Sequence, residues 1–112
     1  MTLYTASVSA GRLQGPDVSA AAAFGKAGGI AAADKREGDR KSPYGVYPVR
    51  RVFWRPDRLH PPGTALEARR ITMLCGWCDE PSDPAYNRRV DLPYAASHEQ
   101  MWRADGLYDL IV

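Results

Sequence analysis

Several features that would place this chain in a specialised class are absent or scarce. Two cysteines among 112 residues are too few for the disulfide framework of a small secreted domain. No apolar run approaches the length of about 20 residues that spans a bilayer. The 15 Lys and Arg residues are dispersed among 13 Asp and Glu residues, so no basic stripe predicts a nucleic-acid partner. The first residues lack the basic start and long apolar segment of a secretory signal peptide.

What is abundant is glycine and proline, and their spacing predicts the fold class. Ten Gly and nine Pro residues separate short segments rich in apolar and β-branched residues. We therefore expect a mainly β protein, with sandwich-like mixed sheets and one short helix. Strands are predicted at Leu3–Val8, Val18–Phe24, Gly45–Arg55, Leu66–Met73 and Tyr108–Val112. The segment from Asp79 to Asn87 contains two prolines and is predicted to be a loop.

The predicted helix runs from His98 to Ala104. Ser97 can cap its first turn, and Gln100 completes a capping box three residues later. Gly106 is the residue type preferred just past a helix end. A neutral His98 in this position could serve as a general base, although such residues are also ordinary members of a first helical turn.

The motif Cys75-Gly76-Trp77-Cys78 is compatible with three hypotheses. A redox site would place the first thiol at a helix N-terminus, but Pro81 and Pro84 prevent a long helix from following. A structural zinc site would need a second pair of ligands, and His60 and His98 stand alone in the sequence. The third hypothesis is a pair of partly buried free thiols.

The segment Asp34–Asp39 alternates charges in a predicted loop. Such a run is typical of a solvated turn with weak surface ion pairs. A functional interpretation is that the basic pair Lys35 and Arg36, oriented by the flanking carboxylates, binds an anionic group of a substrate.

Two longer segments resemble one known family. They are DKREGDRKSPYGVYPVRRVFWRPDRL, which begins at Asp34, and the segment from Gly76 that begins GWCDEPSDPAYNRR and extends to Val112. These segments resemble bacterial L,D-transpeptidase catalytic-domain proteins, in the branch with a DKREGD loop and a GWCDDP-type loop. The similarity covers about residues 25–112. Cys75 departs from the pattern, because the family usually has Asp or another polar residue there, so the CxxC spacing looks accidental.

The resemblance implies a β-rich, sandwich-like fold and acyl transfer between peptidoglycan stem peptides. In that chemistry a cysteine thiolate forms a thioester, which an amine of a neighbouring stem resolves. The family's nucleophile lies in a Ser/Thr-x-Gly-Cys motif preceded by a histidine on a strand, and neither motif occurs here. Cys78 matches a cysteine of the family that is not the nucleophile. No catalytic residue, metal ligand or cofactor is therefore assigned.

The resemblance also sets expectations for domain organisation and partners. The chain closes on an apolar run that predicts a buried strand, so we expect residues 1–112 to be the N-terminal part of a single catalytic domain that is truncated before the catalytic motif. A C-terminal complement of that domain is one expected partner, and stem peptides in the cell envelope or periplasm are the other. The alternative is a non-catalytic β module that binds peptidoglycan or a protein. The residues expected to bind substrate are Lys35, Arg36, Trp77, Asn87 and His98.

Overall fold

The computed structural model describes all residues, 1–112, and contains eleven short strands and a single 3₁₀ turn. The chain divides into two units, Met1–Tyr47 and Pro48–Val112. In the first unit β1 (Thr5–Ser7), β2 (Arg12–Gln14) and β3 (Ser19–Ala21) form an antiparallel sheet in the order β1-β2-β3. A parallel pair joins β4 (Gly29–Ala31) to β5 (Ser42–Tyr44), and the 3₁₀ turn (Ala32–Asp34) follows β4.

The first unit has no buried side chain, so hydrogen bonds and close backbone contacts hold it together. The Gly25 amide donates to Ser42 Oγ at 2.8 Å, and the Ala27 amide donates to the Arg40 carbonyl at 2.9 Å. A Cβ atom on Gly25 would lie 2.4 Å from the Arg40 carbonyl oxygen and 2.7 Å from Lys41 Cα. Only glycine lets these two backbone segments approach so closely.

The second unit contains two three-stranded sheets. Their strands are β6 (Arg51–Trp54), β7 (Glu67–Arg70), β8 (Cys75–Cys78), β9 (Arg89–Asp91), β10 (His98–Gln100) and β11 (Leu110–Ile111). The first sheet has the order β11-β6-β7, with β6 parallel to β7 and antiparallel to β11. The second is antiparallel, with the order β10-β8-β9.

The hydrophobic core lies in this second unit. Its centre is a cluster of Phe53, Ile71, Cys75 and Met101, each no more than 3% exposed. Trp77, Trp102 and Ile111 pack against the cluster. The core therefore joins the β6 and β8 sheets and also receives Ile71 after β7, Met101 and Trp102 after β10, and Ile111 from β11. Burial of this apolar surface is the main source of stability.

Two arginines fix the segment that precedes β11. Arg55 is 3% exposed and forms a two-pronged ion pair with Asp57, with both N···O distances 2.9 Å. Its third nitrogen donates to the Arg103 carbonyl at 2.6 Å, and its guanidinium lies 3.7 Å from the centre of the Trp102 ring. Arg58 donates to the Ala104 and Asp105 carbonyls and to the Asp109 carboxylate.

The two edges of the β11-β6-β7 sheet differ in character. All four residues of β7 are exposed, and Glu67 forms ion pairs with Arg51 and Arg69. On the opposite edge Leu110 is 51% exposed. Charged residues on an edge strand discourage pairing with another chain, whereas an apolar edge does not.

The prediction of a mainly β protein is confirmed. The structure contains no candidate membrane-spanning helix. Strands form inside all five predicted segments with shorter bounds, as β1, β3, β6, β7 and β11. The last of these is only half-buried rather than buried. The segment 79–87 contains turns and no strand, as predicted.

The predicted helix at His98–Ala104 is wrong. Residues His98–Gln100 form β10, which pairs with Cys78, Trp77 and Gly76 of β8. A helix of seven residues gains little from its own hydrogen bonds, and the neighbouring strand satisfies these backbone groups instead. The Ser97 carbonyl accepts a hydrogen bond from the Asp79 amide at 3.1 Å, so the segment enters the sheet where the capping box predicted a helical turn.

The strand predicted at Gly45–Arg55 is too long. Only Arg51–Trp54 is strand, and residues 46–49 lie outside any sheet with exposed apolar side chains. Pro48, which lacks an amide donor, lies in the middle of that segment and weakens any ladder there. The preceding residues Ser42–Tyr44 instead pair with β4.

Candidate functional site

The Asp34–Asp39 loop is organised by one carboxylate. Asp39 accepts hydrogen bonds from Lys35 Nζ at 2.6 Å, from the Arg36 amide at 2.9 Å and from the Lys41 amide at 2.9 Å. The Lys35 ammonium, followed by the Arg36 amide, holds the pKa of Asp39 well below its ordinary value. Gly38 supplies the positive φ of 78° at the turn. Asp39 thus closes the loop on itself.

This arrangement separates the two predicted anion-binding residues. Lys35 is occupied by Asp39, and its side chain is 31% exposed. Arg36 is exposed, and its Nη1 donates to the Ala33 and Lys35 carbonyls at 3.3 and 2.9 Å. These two bonds orient the guanidinium on the outside of the loop. Of the pair, Arg36 is therefore the residue whose side chain is exposed and donates to backbone carbonyls rather than to the Asp39 carboxylate.

Trp77, Asn87 and His98 lie in the second unit, and the structure brings the first two together. Trp77 Nε1 donates to Asn87 Oδ1 at 3.1 Å. Asn87 has a φ of 57°, a left-handed conformation that Asn tolerates better than most residues. The backbone amide of Asn87 donates to the Cys78 carbonyl at 2.9 Å. The bend at Asn87 therefore closes the loop that follows β8 and fixes the Trp77 indole.

His98 lies on β10, which flanks β8 on the side opposite β9. It pairs in register with Cys78, and its Nδ1 is 2.8 Å from the Ala96 carbonyl oxygen. Because a carbonyl can only accept, Nδ1 carries a hydrogen in this contact. The ring also meets Tyr94 edge to face, with 6.3 Å between centroids.

The two cysteines are free, as in the third hypothesis for the CxxC motif, but they are fully rather than partly buried, at 1% and 0% exposed. Both belong to β8, where residues three apart point to opposite faces of the sheet. A disulfide between them would require β8 to be rebuilt, so this strand is unsuited to a redox pair. No group of three or more His, Cys, Asp and Glu side chains comes together in a way that could hold a metal ion.

Cys75 occupies an environment suited to an anion. Its Sγ accepts from the Thr72 amide and from Arg89 Nη2, both at 3.3 Å, and lies 3.5 Å from Thr72 Oγ1. Burial alone would raise the pKa of the Cys75 thiol, but the Thr72 and Arg89 contacts outweigh it and the pKa is lowered. The family that the chain resembles usually has Asp or another polar residue at position 75. Such a side chain would accept hydrogen bonds from the same Thr72 and Arg89 donors.

A surface cavity of about 190 Å³ lies beside Trp77. Its lining residues are Trp77, Glu99, Met101, Tyr108 and Ile111. Tyr108 donates its hydroxyl hydrogen to Glu99 Oε2 at 2.5 Å. The resemblance predicts Trp77 as a substrate-binding residue, but the sequence predicts no binding role for Tyr108 or Glu99. Glu99 lies opposite Trp77 in the β8–β10 register. Only the pairing of β10 with β8 could have revealed this site.

Two phenols in this unit should ionise late in an alkaline titration. Tyr94 donates to Asp83 at 2.6 Å and Tyr108 donates to Glu99, and these bonds raise the pKa of each tyrosine to about 12. The folded-state pKa values exceed the ordinary 10.0. The stability from these bonds is therefore complete below pH 10 and is lost as the pH rises from 10 to 12.

Absorbance of tyrosinate against pH checks this prediction. We expect Tyr94→Phe and Tyr108→Phe each to remove one late-ionising phenol from the folded protein and to reduce the loss of Tm between these pH values. If the wild type and both variants ionise fully near pH 10 while still folded, the two hydrogen bonds do not hold the phenols as described.

Comparison with family models, with curated proteins and with solved structures finds no match to this chain.

Proposed function

We propose that this chain is the substrate-binding part of a cell-wall L,D-transpeptidase-type domain, acts in the cell envelope and does not carry out acyl transfer alone. One observation carries the proposal. In the Asp34–Asp39 loop, Asp39 forms an ion pair with Lys35 and a hydrogen bond with the Arg36 amide, whereas the Arg36 side chain is exposed. The motif from Gly76 supports it, since Trp77, Cys78 and Asn87 build one closed loop. Both features lie within the segments that carry the family resemblance.

The chemistry of the two thiols supports a role in binding rather than catalysis. A nucleophilic thiolate must reach the carbonyl that it attacks, and Cys75 and Cys78 are 1% and 0% exposed. Neither cysteine forms the exposed thiol–imidazole pair that acyl transfer requires.

We expect no transpeptidase activity from this chain alone, because no attacking thiolate is available to form the thioester. The purified protein is incubated with a tetrapeptide stem ending in D-alanine, and released D-alanine is measured. Release should not exceed the background without protein. Release above background that Cys78→Ser abolishes would contradict the proposal, because Cys78 would then be the nucleophile.

The anion-binding role of Arg36 predicts weaker stem binding in Arg36→Lys. A guanidinium can hold a carboxylate through two hydrogen bonds, whereas an ammonium supplies one point charge. We expect binding of the tetrapeptide stem to weaken about fivefold, with little change in Tm. Arg50→Lys, at another exposed arginine, is the matched control and should bind like the wild type.

The opposite result identifies a structural residue. Arg36 already donates to two carbonyls of its own loop, so it could serve only to hold that loop. A lower Tm in Arg36→Lys with unchanged stem binding in the folded protein would overturn the carboxylate-binding role.

The second candidate function is a non-catalytic β module that binds peptidoglycan or a protein partner. The burial of both cysteines is equally compatible with it. The coding sequence that follows Val112 separates the two. A strand with a histidine followed by Ser/Thr-x-Gly-Cys would establish the transpeptidase, and any other continuation would favour the binding module.

A further inference from the structure

The cavity beside Trp77 has a composition that the proposed function does not use. Two aromatic rings, Trp77 and Tyr108, two aliphatic side chains, Met101 and Ile111, and one carboxylate, Glu99, line it. We propose that this cavity binds a small alkylammonium cation, with its apolar substituents against the rings and its positive charge beside Glu99. The inference does not depend on the transpeptidase proposal.

The aromatic walls are fixed before any ligand arrives. The Trp77 indole donates to Asn87 and meets Phe53 edge to face, with centroids 6.3 Å apart and planes at 82°. The Tyr108 phenol is held by Glu99. Because these side chains are already ordered, a ligand does not have to restrict them, and that favours binding.

The charge of the cavity favours a cation. Glu99 is the single ionisable carboxylate among the lining residues. Arg89 is the cross-strand neighbour of Trp77, and its charge is paired with Asp91. Arg103 holds its guanidinium 5.4 Å from the centre of the Tyr108 ring. Its charge is balanced by Asp105, with N···O distances of 2.6 and 2.9 Å. The Tyr108 ring lies within cation–π distance of this guanidinium.

The lining selects an alkylated nitrogen over a bare ammonium ion. An ammonium ion needs several hydrogen-bond acceptors to replace its water, and Glu99 is the one carboxylate in the lining. A nitrogen that carries methyl groups spreads its charge over C–H groups, which pack against aromatic faces and aliphatic side chains. The volume of about 190 Å³ is several times the space of one water molecule, about 30 Å³, and accommodates such a group.

The test compares two probes that differ at a single atom. Choline carries a trimethylammonium group, and 3,3-dimethyl-1-butanol carries a neutral tert-butyl group of the same shape. The indole N–H resonance of Trp77, identified by its loss in Trp77→Phe, reports binding to ¹⁵N-labelled protein. We expect choline to shift this resonance saturably and to bind about tenfold more tightly than the neutral alcohol.

A charge-removing variant assigns the role of Glu99. Glu99→Gln keeps an acceptor for the Tyr108 hydroxyl and should weaken choline binding about fivefold or more, while the other indole resonances confirm that the variant is folded. Glu80→Gln is the matched control and should bind choline like the wild type. Ammonium chloride at the same ionic strength should leave the Trp77 resonance unshifted.

Three results would overturn the inference. They are the absence of a saturable shift with choline, equal affinity for choline and the neutral alcohol, and unchanged choline binding in a folded Glu99→Gln protein. None of these measurements involves stem peptide or Arg36, so failure here leaves the transpeptidase proposal standing, and failure of that proposal leaves this one standing.

Discussion

Replacing Arg55 by methionine should lower the Tm by about 10 °C or more. The substitution keeps an unbranched apolar side chain but removes the two bonds to Asp57, the bond to the Arg103 carbonyl and the stacking on Trp102. It leaves the Arg103 carbonyl oxygen without its partner, which costs more than the bond itself contributes. The segment before β11 should then loosen, because Arg55 is one of the two arginines that tie it down and Arg58 alone remains.

Thermal melting of Arg55→Met beside Arg69→Met checks this expectation. Arg69 pairs with Glu67 at 2.6 Å, but both side chains are about half exposed, and such pairs contribute little to stability. Arg69→Met should therefore melt close to the wild type. A protein that fails to fold when Arg55 is changed would also support the prediction, whereas equal Tm values for the two variants would contradict it.

Replacing Gly25 by alanine should destabilise the first unit by about 2–3 kcal/mol. The added methyl group would lie 2.4 Å from the Arg40 carbonyl oxygen, and backbone atoms cannot move aside as the end of a flexible side chain can. The segment of Gly25 must separate from that of Arg40. This breaks the hydrogen bonds from the Gly25 amide to Ser42 and from the Ala27 amide to Arg40. This unit has no buried side chain to compensate.

Amide hydrogen exchange locates the effect of the Gly25 substitution. We expect the amides of Ala27 and Ser42, which donate to Arg40 and Gly28, to lose protection, while β8 in the second unit keeps it. Ser42→Ala removes one hydrogen bond without adding an atom and should cost about 1 kcal/mol. Gly63→Ala, where no atom lies within 4 Å of the new methyl group, should be neutral. Protection of Ala27 and Ser42 that survives in Gly25→Ala would show that the two segments are not in close contact.

The parts of the fold that the sequence predicts are those decided by local residues. Gly and Pro mark the ends of the strands, and the prolines of the segment 79–87 exclude regular structure there. The helix prediction for the segment of β10 was wrong because its signal was also local. Ser97 and Gln100 satisfy the rule for a capping box, but the pairing with β8 is set by residues about 20 positions away, which no local pattern contains.

The same limit explains which parts of the candidate sites were foreseen. Lys35 and Arg36 were found because their charge pattern is contiguous, although the carboxylate that organises them is Asp39. The cavity was missed because Trp77 and Glu99 are far apart in sequence and adjacent only in the β8–β10 register. Tyr108 reaches it from the segment before β11.

The unequal edges of the β11-β6-β7 sheet bear on how copies of this chain could associate. Pairing through the apolar β11 edge would be antiparallel about a two-fold axis, and the resulting six-stranded sheet would end in β7 on both sides. Each end would then present the ion-paired charges of Glu67 and Arg69, which oppose the addition of another strand. Any pairing of copies through the β11 edge would therefore stop at two, because both ends of the joined sheet would carry the charges of β7.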